Sequence, residues 1–254
     1  MSNGVSFREA STPEGLRLVA IGDIHGCLGL LDRLLEAIDA EIAADAPDDW
    51  RVITLGDHTD RGPNSRGVID RMIERSADPR HLSLGGNHDV GMADFLTGPK
   101  NHRLFLDFGG VETAASYGVT LDTSDEDRFT ASRLALIEAV PSTHLEFLTS
   151  RSLSATFGDY FFCHAGIRPG VPLDLQVQDD LMWIRKEFLS HEGLHPKLIV
   201  HGHTPADQPE ILRNRINIDT GAYSTSVLTA LVAEGTRKWL LQANEDGVSR
   251  RELS

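Results

Sequence analysis

Five apolar runs in this chain end in the same way, each handing over to a short polar loop that carries Asp, Asn or His. The loops read "GDIHG" (Gly22–Gly26), "GDHTDRGP" (Gly56–Pro63), "GGNHD" (Gly85–Asp89), "CHAG" (Cys163–Gly166) and "HGHTP" (His201–Pro205). Short apolar runs bounded by turn residues predict buried strands. In open α/β sheets, sites form at the carboxyl ends of strands. Five such endings therefore predict strands in a core layer whose ends converge on one cleft. The neighbouring glycines allow sharp turns and close approach of a ligand.

Between the runs the periodicity changes. Leu16–Gly22 predicts a strand, Leu28–Ala44 an amphipathic helix, Arg51–Gly56 a strand, Asn64–Ser76 a helix and Arg80–Gly85 a third strand followed by another helical segment. This β-α-β-α-β order points to an α/β layer architecture. From Gly98 to Ser150 the alternation breaks into mostly helical sequence, expected to form an insertion that caps one face and shapes the substrate entrance. Strand patterns then resume at Ser152–Phe157, Tyr160–His164, Leu198–His201, Ile216–Ile218 and Ser226–Ala233, with one short helix at Asp179–Leu189. Gly158-Asp159 between two of these runs predicts a hairpin turn. The expected organisation is a flexible N-terminal tail over 1–15, a single domain over 16–245 with the helical insertion at 98–150, and a C-terminal tail over 246–254.

Bulk properties exclude several classes. A chain of 254 residues can bury a sizeable core. No run approaches the ~18 apolar residues that span a bilayer, and the N-terminus lacks the pattern of a signal peptide. The net charge of −14 disfavours nucleic acid and anionic membranes as partners. Cys27 and Cys163 are too few for a disulfide framework, so a reducing cytoplasm is the expected location.

The polar endings offer oxygen and imidazole nitrogen without thiolate. Asp23, His25, Asp57, Asn87, His164 and His203 suit a borderline or fairly hard dication such as Mn²⁺, Fe²⁺ or Zn²⁺. Six protein ligands are too many for one open catalytic metal, whereas two metals about 3.5–4 Å apart that share a carboxylate fit the count.

The ordered set of five motifs resembles the bacterial-type phosphoprotein phosphatase branch of the calcineurin-like metallophosphoesterases, over about Leu16 to Ala233. The resemblance implies a sandwich of two packed mixed β-sheets flanked by helices. It also implies two divalent metal ions, with manganese first and iron, zinc, cobalt or nickel as alternatives. Asp23 and His25 would bind the first metal, Asp57 would bridge both, and Asn87, His164 and His203 would bind the second. His88 would act as general acid with Asp60 orienting it, and Arg61 would grip the phosphate, aided by Asn87 and a second arginine best matched by Arg185. Paired dications lower the pKa of a shared water and neutralise phosphoryl oxygens. Planar guanidinium forks match phosphate, and a carboxylate raises the pKa of an imidazole that must deliver a proton.

The implied activity is hydrolysis of phosphomonoesters on phosphoproteins (Ser, Thr or Tyr). Symmetrical dinucleoside tetraphosphates or small phosphomonoesters are the alternative substrates, and a non-catalytic phosphate-binding scaffold is a third reading. Asp60 within "DRG" favours the phosphoprotein, while "RGPNS" and "FGGVETAASYG" echo the tetraphosphate hydrolases. The chain departs from the family at Thr59, Gly85 and Asp89, none of them a ligand. His201, two residues before His203, stays a further candidate. His58, His81, His102, His144, His191 and His195 read as surface or structural, Met182 and Trp183 as core, and Cys27 and Cys163 as small buried hydrophobes.

Overall fold

In a computed structural model, which describes residues 4–98 and 103–254, the chain forms two stacked sheets. The first sheet is built from β1 (Leu16–Ile21), β2 (Asp49–Thr54), β3 (His81–Ser83), β9 (Leu228–Glu234), β10 (Arg237–Ala243) and β11 (Val248–Leu253). Their spatial order is β11-β10-β9-β1-β2-β3. The second contains β4 (Ser154–Phe157), β5 (Tyr160–Cys163), β6 (Leu198–His201), β7 (Glu210–Ile211) and β8 (Arg215–Asn217), in the order β4-β5-β6-β8-β7. Both are mixed: β1, β2 and β3 run parallel, while β9 and β10 run antiparallel to their neighbours.

The strands are apolar on both faces because each sheet is covered twice. In β1, Leu18 and Ala20 pack between the sheets against Phe162, Val200 and Ile216. Val19 and Ile21 point outward against the helices. Successive side chains of a strand alternate faces, so one continuous apolar run feeds two cores. Outside the first sheet lie α1 (Leu28–Asp45), α2 (Ser65–Arg75) and α3 (Asn87–Thr97). α1 buries Leu31, Leu34, Leu35 and Ile38, a stripe at helical spacing.

The 98–150 region folds as α4 (Arg103–Asp107), α5 (Gly110–Ser116), α6 (Glu126–Ala139) and α7 (Ser142–Thr149), which pack on α2 and α3. The single helix expected at 179–189 is instead two, α8 (Gln178–Trp183) and α9 (Lys186–Leu189). They are separated at Arg185, whose φ of −131° and ψ of −86° leave the helical region. A last short helix, α10 (Ala222–Thr225), follows β8. The two-residue turn at Gly158-Asp159 joins β4 and β5 in register, Phe157 opposite Tyr160.

The structure differs from expectation at both ends. Residues 5–12 are not a loose tail: Phe7 and Ala10 are buried, and the backbone N–H groups of Val5, Phe7 and Thr12 donate to His195, Arg213 and Gly235. Residues 248–253 form edge strand β11 on β10. Its charged, exposed face is what an edge strand requires, and it hides the strand from a reading based on apolar runs.

Candidate metal centre

The ends of β1, β2, β5, β6 and β8 and the first turn of α3 meet in one place, and Asp57 lies at its middle. Ligand atoms of His25, Asp57 and His88 fall within 4.8 Å of one another, as do those of Asp57, His164 and His203. Asp57 belongs to both groups. Its Oδ2 is 3.5 Å from His25 Nε2, and its Oδ1 is 3.4 Å from His164 Nε2. Asn87 Oδ1 lies 2.9 Å from His164 Nε2 and 2.8 Å from His203 Nδ1. Asp23 Oδ2 accepts from the His203 backbone N–H at 3.0 Å.

Tight backbone turns create this convergence. Among the described residues, seven non-glycines have positive φ, and His25, Asp57, Asp60, Arg61 and His203 are five of them. Left-handed conformations cost side-chain-bearing residues of order 1–3 kcal/mol and cluster at functional sites. Glycine is required where backbones press on the carboxylates. A Cβ on Gly202 would sit 1.9 Å from Asp23 Oδ1, and one on Gly86 would sit 2.2 Å from both the backbone N and Oδ1 of Asp57.

The donor set fits a cation. His164 Nδ1–H donates to the Leu55 carbonyl at 3.0 Å, and His25 Nδ1–H donates to the Thr59 carbonyl at 2.8 Å. Each imidazole therefore turns an Nε2 lone pair inward, towards carboxylate and amide oxygens that carry no proton. Such backbone bonds are how a protein orients metal-binding histidines. Asp23 Oδ1 is buried with no hydrogen-bond partner. Converging lone pairs and an orphaned buried oxygen are costly unless positive charge joins them.

The electrostatics agree. Burial pushes the Asp57 carboxyl up, but the imidazoles of His164, His88 and His25 outweigh it and hold the group below its ordinary value. Burial raises Asp23 well above the carboxylate range, and the charges of Asp219 and Asp57 add to the rise. Burial also lifts Asp219 to about 6. Burial lowers His25 to about 4 and His203 to about 3, which keeps both rings neutral and able to ligate.

Beside this cluster sits an acid–base pair. His88 Nδ1 is 2.7 Å from Asp60 Oδ2, and Thr113 Oγ1 of α5 donates to Asp60 Oδ1 at 2.9 Å. Burial opposes charge on His88, yet Asp57 and Asp60 prevail and raise its pKa. Burial raises Asp60 to about 6, against the pull of His88. Arg61 Nη2 donates to His88 Nε2 at 3.2 Å, and its backbone N–H donates to Gly109 at 3.2 Å. Gly109 and Thr113 belong to the helical region, so that region braces Asp60 and Arg61 from behind. Arg185 is exposed and its Nε donates to His203 Nε2 at 3.0 Å.

The ten residues expected at the site lie at and around Asp57, but neither ligand group contains Asp23; His88, expected as general acid, stands with His25 and Asp57 instead. His201 is not with them: it is buried against Phe188 and faces Arg215. His58 is structural, fully buried between Thr54 and Asp89. Asp89 also accepts from the backbone N–H groups of His58 and Gly86, tying the loop after β2 to the start of α3. His144 and His195 are buried and His81 half-buried, while His102 lies outside the described residues. Cys163 points to the outer core of the second sheet, and burial pushes the Cys27 thiol up to about 11. Met182 is buried, but Trp183, expected in the core, is 42% exposed. Its ring instead meets the edge of His203 at 6.1 Å. The sequence reading passed over Asp219, which stands two residues after β8 in the kind of strand-end position that the five motifs occupy. It also passed over Tyr223, whose ring meets His25 at 5.3 Å.

A two-sheet fold with this cluster at its strand ends defines a metal-dependent phosphoesterase class, and the chain belongs to the calcineurin-like phosphoesterase family, whose model matches residues 16–227. Among curated proteins it is similar to the asymmetrical bis(5'-nucleosyl)-tetraphosphatase PrpE of Bacillus thuringiensis (strain Al Hakam), 29% identical over 230 residues, covering 83% of this chain and 88% of the relative. PrpE of Bacillus anthracis (strain CDC 684 / NRRL 3495) matches to the same extent. Among solved structures, a protein described as a candidate diadenosine tetraphosphatase superposes with a TM-score of 0.60 at 19% identity, over 99% of this chain and 98% of that one. A cold-active protein tyrosine phosphatase of a Shewanella species gives 0.58 at 18% identity, over 98% and 84%. At these identities the structural matches speak for the fold. Family members use a dinuclear metal centre, and the donors around Asp57 are where this chain would hold one. Among the described residues, no helix is long and apolar enough to cross a membrane.

Proposed function

We propose that this chain hydrolyses phosphoanhydride bonds of dinucleoside tetraphosphates, using two divalent cations held by Asp23, His25, Asp57, Asn87, His164 and His203. The observation that carries the reading is the convergence of carboxylate, amide and imidazole groups on Asp57 beside Arg61 and the Asp60–His88 pair. The names of the 29%-identical relatives support a dinucleotide over a phosphoprotein. When bound, the cations, with manganese expected first, supply Lewis acidity and an activated water. The chain's own residues do the rest. Arg61 and Arg185 approach from opposite flanks and grip the phosphoryl oxygens. A phosphate that draws Arg61 away frees His88 Nε2 to carry a proton. Asp60, bonded at Nδ1, holds the ring in orientation and stabilises its charged form while Nε2 delivers that proton to the leaving oxygen.

A phosphoprotein is the second substrate reading, favoured by the buried Asp60–His88 contact within "DRG". Steady-state rates on diadenosine tetraphosphate, a phosphoserine peptide, a phosphotyrosine peptide and p-nitrophenyl phosphate, each with Mn²⁺, Fe²⁺, Zn²⁺, Co²⁺, Ni²⁺ and Mg²⁺, separate the two. The expected result is the highest kcat/KM on the dinucleotide, and loss of about 10²-fold or more in His88→Asn. A higher kcat/KM on either peptide would transfer the assignment to protein phosphatase. A protein inert on every ester with every metal would leave only a phosphate-binding scaffold.

A further inference from the structure

Next to the metal centre, on the His25 side, lies a cleft of about 570 Å³ between the first turn of α1 and α10. Its walls include Leu28, Leu30, Pro63 and Tyr223, with Asn64 and Glu245 among its polar lining. The volume and the mostly apolar lining with a few polar groups are those of a small-molecule site. Tyr223 joins the cleft to the chemistry. Its ring meets His25, Arg61 lies over the ring at 4.6 Å, and Arg61 also donates to the Tyr223 hydroxyl. A substrate with one phosphate at Arg61 would place its next bulky group against this ring.

The lining discriminates between possible groups. Asp32 and Glu245 outnumber Arg33 among the charged lining, so the cleft disfavours a further phosphate, and its apolar walls suit a flat uncharged body. The Asn64 Oδ1 is committed to the Gly67 backbone N–H, and its Nδ2 has no hydrogen bond among the described residues, which leaves a donor for a ring nitrogen or a sugar oxygen. Aromatic stacking on a base is worth about 1–3 kcal/mol. Resting on the hydrolytic reading of the adjoining centre, we infer that this cleft is a nucleoside subsite, in which Tyr223 and the walls at Leu28 and Leu30 hold the base-bearing end of a nucleoside 5'-phosphate or polyphosphate.

Gly29 offers a clean test. It lines the cleft in the first turn of α1, and a Cβ built there meets nothing within 4 Å. Gly29→Trp fills the cleft while replacing a residue that is poor in helices. Binding of adenosine 5'-monophosphate and of orthophosphate is measured by titration calorimetry on wild type, Gly29→Trp, Tyr223→Leu and Tyr223→Phe, each checked for a native melt. The expected result is AMP at least tenfold tighter than orthophosphate in wild type. That advantage shrinks to about twofold or less in Gly29→Trp and Tyr223→Leu, and largely survives in Tyr223→Phe. Equal affinity for the two ligands in wild type, or an advantage that both disruptive variants keep, overturns the subsite. Phenyl phosphate showing the same advantage with the same sensitivity also overturns it, in favour of a site for any aromatic ester. Because the readout is binding, an AMP preference abolished by Gly29→Trp would sustain the subsite even if the substrate panel found no hydrolysis. Turnover of diadenosine tetraphosphate with no AMP preference would sustain the function and sink the subsite.

Discussion

The bodies of the strands and their ends are buried alike and built on opposite chemistry. Leu18 through Ile21 of β1 are sealed between two apolar cores, and Asp23, two residues further on, is 2% exposed with an oxygen that has no partner. The same contrast separates Ile53 from Asp57, Phe162 from His164 and Val200 from His203. Apolar burial in the bodies stabilises the fold. The ends add desolvated carboxylates and left-handed backbone, which cost stability and persist only because the bodies over-determine the chain path. Stability and activity should therefore respond to different residues lying only a few positions apart.

Asp57→Asn is the largest expected effect at an end. It removes the charge common to both ligand groups, so turnover should fall on the order of 10³-fold or more. The melting temperature of the metal-free protein should move by only about 5 °C or less, because Asn keeps the oxygen that accepts from the His88 backbone N–H. Phe162→Ala is the converse in a body. Its ring stacks near Tyr160 in the inter-sheet core, so the change should cost about 3–5 kcal/mol while kcat per folded molecule holds. Calorimetry and active-site-normalised rates on both variants decide the matter. If Asp57→Asn melts as low as Phe162→Ala, the ends are structural and the contrast is wrong.

Most of the ends were legible because each follows a long apolar run and is framed by glycine. Asp219 was not, for a physical reason: the run before it, Ile216–Ile218, is only three residues long with Asn217 inside it, a weaker announcement than the other five. Trp183 was misplaced because one helix was expected through 179–189; α8 ends at Trp183 and buries Leu181 and Met182, which leaves Trp183 on the open side of its last turn. Residues 5–12 and β11 were hidden by polar composition, since they are attached largely through backbone hydrogen bonds, with only Phe7 and Ala10 of residues 5–12 reaching the core as buried apolar side chains.

Asp219→Asn sharpens the contrast with a smaller effect and a definite sign. The folded-state pKa of Asp219 is raised from 3.8 to about 6. Its contribution to stability is then fully present below the unfolded value and is lost as pH rises through about 6. In chelator, Asn should leave stability near pH 4 almost unchanged and raise it at pH 8 by on the order of 3 kcal/mol. Melting curves across that range check it, and a gain of equal size at both pH values would show that charge is not the cause.

The smallest effect isolates strain from chemistry. Ala46 has φ 48° and ψ 56° at the C-terminus of α1, and its N–H closes the helix on the Ile42 carbonyl. It has the same left-handed backbone as Asp57 and Asp60 but no side chain that could justify it, and it lies a helix length of about 27 Å from the end of α1 that borders the site. Glycine adopts this conformation without the steric penalty. Ala46→Gly should therefore raise stability by about 0.5–1 kcal/mol and leave turnover unchanged. The same substitution at Asp60 would relieve equal backbone strain, yet it would strip His88 of its partner and lower activity. If Ala46→Gly instead destabilised the protein, left-handed backbone here would carry no cost, and Asp57 and the four strained residues around it would no longer set the strand ends apart from the bodies.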